Sequence, residues 1–132
     1  MTLIIVAVLA LYSFQTFLPS IFMSRALGPV MMKYAGVPRD TPLDLTVNAG
    51  RAARALKNMT EAILVFLPLA LLAVHYDLTN GLALWGAITF FLARVLYIPA
   101  YITAVSLTRS VVWTIGHIGL GMMAFAVIAA AY

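Results

Sequence analysis

At 132 residues the chain has the length of one domain, but 64% of its residues are hydrophobic, 9% are charged and its mean hydropathy is +1.06. These values exclude an ordinary soluble domain. The chain has no cysteine, which excludes disulfides, cysteine–zinc sites and a cysteine nucleophile. We therefore expect an all-α integral membrane protein, because long apolar segments can pair all their backbone groups in lipid as helices.

Four long segments carry almost no charge, and each can supply the roughly 20 apolar residues that cross a bilayer. The first ends before the breaker pair GP at 28–29, and it lacks the basic start of a signal peptide, which favours a retained span. The stretch TPLD at 41–44 predicts the start of the second helix, with threonine as cap and proline at the first helical position. Thr108 is expected to cap the fourth helix. The predicted four-helix transmembrane domain covers 1–132, with helices at approximately 2–27, 42–75, 79–105 and 108–131.

Lysine and arginine are unevenly distributed between these segments. The first loop holds six of them, the second loop, HYDLTN, holds none, and Arg109 lies at the third loop. The positive-inside rule then predicts that both termini are outside and that loops 1 and 3 are cytoplasmic. The net charge of +4 follows from this topology, so we expect no nucleic-acid partner. The basic residues between the first two spans are Arg25, Lys33, Arg39, Arg51, Arg54 and Lys57.

Polar residues recur at helical spacing inside the later segments. The second helix carries four of them at spacings of three, four and three, which places them on one face, with Lys57 beside it. The third helix carries three at spacings of three and four, and Arg109 opens the fourth. The two stripes are Arg51, Arg54, Asn58 and Glu61 in helix 2, and Arg94, Tyr97 and Tyr101 in helix 3.

Each of these groups also has a structural interpretation. The basic residues of helix 2 can be solvated charges, Glu61 and Arg94 can form an ion pair between helices, and the tyrosines can belong to an interfacial belt. We expect His117 to be packed and hydrogen-bonded rather than a base, and we expect no metal site. However, a charge within a span usually faces a polar cavity, and Arg109 lies where a helix N-terminus favours an anion. We therefore predict a cytoplasm-facing, mostly cationic pocket for a small ligand with several negative groups and one ammonium.

Two blocks of sequence resemble the family of membrane-associated proteins in eicosanoid and glutathione metabolism (MAPEG), in particular its small bacterial-type members. RAARALKNMTEA, at 51–62, resembles the family's Arg-x-x-Arg-Ala-x-x-Asn-x-x-Glu pattern on helix 2. ARVLYIPAYITAVSLTRSVVWT, at 93–114, resembles its helix 3 arginine and tyrosine and the Arg-Ser at the start of helix 4. The chain departs from some members at Tyr97, where they have histidine, and at Trp113, where they have tyrosine.

The resemblance implies a homotrimer that binds glutathione, its co-substrate, between adjacent subunits near the cytoplasmic side. Arginines suit the two carboxylates because guanidinium binds them bidentately, and Glu61 suits the ammonium. Arg109 is implied as the catalytic residue, which lowers the thiol pKa from about 8.5 and holds the sulfur as thiolate. The glutathione-binding residues implied are Arg51, Arg54, Lys57, Asn58, Glu61, Arg94, Tyr97, Tyr101 and Ser110.

From this resemblance we expect a glutathione-dependent transferase or peroxidase of detoxification, in which the thiolate attacks a hydrophobic electrophile that enters from the membrane lipid. The alternative is a non-catalytic scaffold of the same fold that binds a lipid or glutathione. A small multidrug exporter is disfavoured, because such transporters place an acid early in helix 1 and this segment has none. Thiolate absorbance of bound glutathione near neutral pH discriminates the enzyme from the scaffold.

Overall fold

The computed structural model describes residues 1–30, 44–103 and 106–132, and the described chain consists of four long helices without a strand. All four are long and apolar enough, by length and composition, to cross a membrane. The predicted fold class, a four-helix membrane bundle, is therefore confirmed. The helices are α1 (Thr2–Leu27), α2 (Val47–His75), α3 (Gly81–Ile102) and α4 (Ser106–Ala131).

The start of α2 differs from the prediction made from the stretch at 41–44. Residues 44–46 are not helical, and α2 begins at Val47 with Thr46 as its N-cap. The hydroxyl of Thr46 accepts a hydrogen bond from the backbone N–H of Ala49 at 3.4 Å. Residues 41–43 lie outside the described residues. Thr41 and Thr46 are both suitable N-cap residues by type. The predicted start at the first threonine was wrong, because the helix uses the second.

The connection between α2 and α3 is short and is closed by backbone hydrogen bonds. After α2 the N–H of Leu78 donates to the carbonyl of Ala73 at 2.8 Å, and that of Asp77 donates to Val74 at 3.1 Å. With Asp77 at a φ of 53°, this is a Schellman turn. α4 begins at Ser106, two residues before the predicted cap, so Thr108 lies within the helix instead of capping it.

Aromatic and small side chains fill the centre of the bundle. The rings of Phe66 on α2 and Phe90 on α3 are stacked, with centroids 4.6 Å apart and planes 9° apart. Alanines line the surrounding faces and allow the helix backbones to approach. The main core cluster consists of Val8, Met59, Ala62, Ile63, Phe66, Ala70, Ala87, Phe90, Leu120 and Met123.

The backbones of α3 and α4, the pair with the most extensive contact, approach each other closely. A Cβ atom added to Gly86 would lie 2.6 Å from the carbonyl oxygen of Gly119. A Cβ atom added to Gly119 would lie 2.6 Å from the carbonyl oxygen of Gly86 and 2.8 Å from the backbone nitrogen of Phe90. Because backbone atoms of the facing helix occupy both positions, no side-chain movement can make room there. The two glycines therefore set the distance between α3 and α4.

We predict that Gly119→Ala separates α3 from α4 and lowers the free energy of unfolding by about 1–3 kcal/mol, the usual cost of overpacking. Gly121→Ala is the matched control on the same helix, because a Cβ atom there meets nothing within 4 Å. Unfolding of the detergent-solubilised protein, followed by helical circular dichroism, measures the difference. Equal stability of the two variants would contradict the packing described here.

Candidate functional site

The polar stripe of α2 lies along an exposed side of the bundle. Arg54, Lys57 and Glu61 are exposed, and Asn58 is half-buried. None of the three charged side chains forms an ion pair with another residue that the structure describes. At 1.5 Å per residue α2 is about 43 Å long, which exceeds the roughly 30 Å of a hydrocarbon core. The N-terminal part of α2 can therefore extend into water while the helix continues into lipid.

Arg94 is the most deeply buried charge of the described residues, with a side chain only 1% exposed. Its Nη1 donates a hydrogen bond of 2.7 Å to Oδ1 of Asn58, whereas the alternative ion pair with Glu61 is not formed. Nε and Nη2 have no hydrogen-bond partner among the residues that the structure describes. A Cβ atom on Gly116 would lie 3.4 Å from Nη2, so the glycine gives the guanidinium its space. Because Arg94 occupies Oδ1, the amide hydrogens of Asn58 remain free to donate elsewhere.

Two arginines and two tyrosines form a continuous column on α3 and α4. Arg94 lies over the ring of Tyr97 with 5.6 Å between Cζ and the ring centroid, and Arg109 lies over Tyr101 at 5.1 Å. The two tyrosine rings are 5.4 Å apart. Each arginine is thus placed for a cation–π interaction. The column holds two positive charges, and no described carboxylate pairs with either.

Arg51 has a structural partner at the other end of α3. Its Nη1 donates to the carbonyl oxygen of Ile102 at 2.8 Å. The last carbonyls of a helix have no partner within the helix, and a cation there also interacts favourably with the helix dipole. Arg51 therefore caps α3 in addition to any contact with a ligand.

A groove with a volume of about 330 Å³ runs between α2 and α4. Its polar end is formed by Asn58 and Glu61 on α2 and by Trp113 and His117 on α4. Small and aliphatic residues continue it along both helices. The remaining lining residues are Ala62, Val65, Leu69, Leu120, Gly121 and Ala124.

His117 is held in one orientation at this polar end. Its Nδ1 lies 2.9 Å from the backbone carbonyl oxygen of Trp113, and the two rings are 3.7 Å apart between centroids. This agrees with the expectation of a packed, hydrogen-bonded histidine. A carbonyl oxygen can only accept, so Nδ1 carries the hydrogen. In the neutral ring Nε2 is then an acceptor, and it has no partner among the described residues.

The structure thus divides the predicted site residues among three places. Asn58 and Glu61 line the groove. Arg94 is not part of its lining and donates a hydrogen bond to Asn58. Tyr97, Tyr101 and Arg109 continue from Arg94 as the column, next to the exposed Ser110. Arg54 and Lys57 lie on the exposed face of α2, and Arg51 caps α3. Sequence reasoning missed Gly116, whose only signal is a small residue directly before His117, on the face of α4 that meets α3.

We predict that Asn58 and Arg94 are energetically coupled. Asn58→Ala should lower the free energy of unfolding by about 1–3 kcal/mol, because it removes the one hydrogen-bond partner that a buried cation has within the described part of the chain. In an Arg94→Met background the same change should have a much smaller effect. Denaturant unfolding of the four proteins in detergent gives the coupling free energy.

The control for this cycle is Thr60→Ala, also on α2, whose hydroxyl donates to the carbonyl of Leu56 at 3.0 Å. Its effect should be the same with and without Arg94. Strict additivity of Asn58→Ala and Arg94→Met would mean that the hydrogen bond contributes nothing to stability.

The chain was compared with protein families, with curated proteins and with solved structures. No curated protein and no solved structure matches it. The model of the MAPEG family matches residues 1–129, which is nearly the whole chain. The four apolar helices described above agree with this match. The chain therefore belongs to the MAPEG family.

Proposed function

We propose that this protein is a membrane-bound, glutathione-dependent transferase or peroxidase. The observation that carries the proposal is the column of Arg94, Tyr97, Tyr101 and Arg109, whose two cations lack a described carboxylate partner. An anion placed beside this column would be stabilised, since charges interact strongly where water is excluded. Membership of the MAPEG family, which includes glutathione transferases and peroxidases, supports glutathione as that anion.

The residues around the column suit the separate groups of glutathione. The exposed basic residues Arg54 and Lys57 can bind carboxylates, and the unpaired carboxylate of Glu61 can bind the ammonium. The free amide hydrogens of Asn58 can donate to a peptide carbonyl of the ligand. Each of these side chains is thus assigned to one group of the ligand.

In the proposed transfer reaction Arg109 stabilises the sulfur as thiolate, and the thiol proton leaves to solvent. The thiolate sulfur forms a bond to carbon of the electrophile, and the leaving group departs with its electron pair. Because the Arg109 guanidinium lies over Tyr101 and is only half-buried, it can approach a sulfur atom next to the column. A lowered thiol pKa increases the fraction of the reactive thiolate at neutral pH.

We further propose a homotrimer with both termini outside and loops 1 and 3 in the cytoplasm. In a single chain the face of α2 with Arg54, Lys57 and Glu61 is exposed, and only 11% of the most apolar part of α1 is buried. A neighbouring subunit that covers this charged face would supply a second wall for glutathione. This arrangement reconciles unpaired charges with an apolar environment.

We predict that glutathione binds saturably to the detergent-solubilised protein and that Glu61→Gln weakens binding about tenfold or more, because the charge-assisted bond to the ammonium is lost. Isothermal titration calorimetry measures both affinities. Asp77→Asn is the matched control, since it neutralises an acid in the turn after α2 and leaves the groove intact. Absence of binding to the unchanged protein would overturn the proposed function.

We predict that Arg109→Ala abolishes turnover while most of the affinity for glutathione remains, because Arg109 acts on the thiolate rather than on the whole tripeptide. Arg109→Lys keeps a positive charge and should retain part of the activity. Turnover with an apolar electrophile and the ultraviolet absorbance of bound thiolate provide the two measurements. Full activity of Arg109→Ala would refute its catalytic assignment, and binding without thiolate absorbance in the unchanged protein would favour the scaffold.

A further inference from the structure

The groove between α2 and α4 has chemistry that the binding of glutathione does not use. It is concave, its volume of about 330 Å³ falls within the range of small-molecule pockets, and its lining belongs to two membrane spans. It is also polarised along its length. Asn58 and Trp113 lie at one end, and Leu69 and Ala124 lie eleven residues further along each helix, which is about 16 Å.

The polar end presents an acceptor that no described group satisfies. Nδ1 of His117 donates to the carbonyl of Trp113, and the indole packs against the imidazole with the two ring planes tilted by 33°. Nε2 of the neutral imidazole therefore offers a lone pair in a fixed position. Glu61, the other acceptor at this end, is assigned to the ammonium of glutathione.

We propose that the α2–α4 groove binds the second, apolar substrate and that His117 is a specificity-determining residue, which favours molecules with a hydrogen-bond donor at one end. The donor, for example a hydroxyl, would donate to Nε2 of His117. The apolar chain would then lie along Val65, Leu69 and Leu120. This inference rests on the proposed function, because that function requires a site for an apolar second substrate.

The test uses the tryptophan that lines the groove as a reporter. The chain has two tryptophans, so Trp85→Phe leaves Trp113 as the only one. The first probe is 2-bromododecan-1-ol, which carries the hydroxyl on its first carbon and bromine on its second. The second probe is the methyl ether of this alcohol. Both quench a nearby indole, but only the alcohol can donate a hydrogen bond. Glutathione is left out, so the result does not depend on glutathione binding.

We expect saturable quenching of Trp113, with the alcohol binding about five- to tenfold more tightly than the ether. His117→Phe keeps a ring against Trp113 but removes the acceptor, so the two affinities should become equal while that of the ether is unchanged. His117→Gln restores a carbonyl acceptor and should recover part of the preference. In the opposite single-tryptophan protein, Trp113→Phe, the remaining Trp85 is 62% exposed and outside the groove, so its quenching should follow partition into the detergent alone.

A preference for the alcohol that survives in His117→Phe would overturn the assignment of His117. Quenching of Trp113 that does not saturate would overturn the groove as a ligand site. If glutathione binds but Trp113 shows no saturable quenching, only this inference fails. If the probes bind as expected but glutathione does not, the proposed function fails and the groove remains a site for apolar molecules with a donor group.

Discussion

The burial of the Arg94 guanidinium constrains most of the interior of this protein. A cation placed in a low-dielectric interior is strongly destabilising unless it is hydrogen-bonded or paired. Here the compensation comes from one amide oxygen of Asn58 and from the faces of Phe90 and Tyr97, without a carboxylate. The space comes from Gly116, where a side chain would meet Nη2. The buried guanidinium thus requires particular residues on three helices, namely α2, α3 and α4.

This arrangement leaves the charges of the site unevenly distributed. Arg94 uses Asn58 instead of Glu61, so the carboxylate keeps its capacity to bind another group. Arg109 is directed to Tyr101, so it also keeps its charge uncompensated by any described acid. An excess of positive charge beside a single free carboxylate matches a ligand that is itself mostly anionic with one cationic group. The electrostatics of the bundle and the proposed ligand are therefore consistent with each other.

The packing of the bundle is equally uneven. α3 and α4 meet backbone to backbone at Gly86 and Gly119, and this closely packed pair carries the cation–aromatic column. α1, in contrast, buries only Val8, Gln15 and Met23. A helix that buries so few of its residues in one chain leaves a large apolar surface to lipid or to a neighbouring subunit. The closely packed pair of α3 and α4 therefore holds the column, whereas α1 carries apolar surface that its own chain does not cover.

The sequence by itself determined the number of helices and the polar faces. Both follow from local properties, the length of apolar runs and the 3.6-residue period, which any helix in lipid must obey. The same information predicted that Asn58 and Glu61 share a face and that Arg94, Tyr97 and Tyr101 share another. It also placed Arg109 near the start of α4. The predicted start of α2 was wrong because two threonines can serve as N-cap, and only the folded chain shows which one is used.

Tertiary structure alone decided which residues of these faces meet. Whether Arg94 reaches Asn58 or Glu61 depends on the rotation and the axial offset of α2 against α3, and these are set by packing at Phe66 and Phe90 and by small residues such as Ala55 and Ala93. The role of Gly116 and the pairing of Gly86 with Gly119 depend on helix separation, for which a single sequence carries no local signal. The groove arises for the same reason, since a concavity between α2 and α4 exists only once both helices are placed by their contacts with α3.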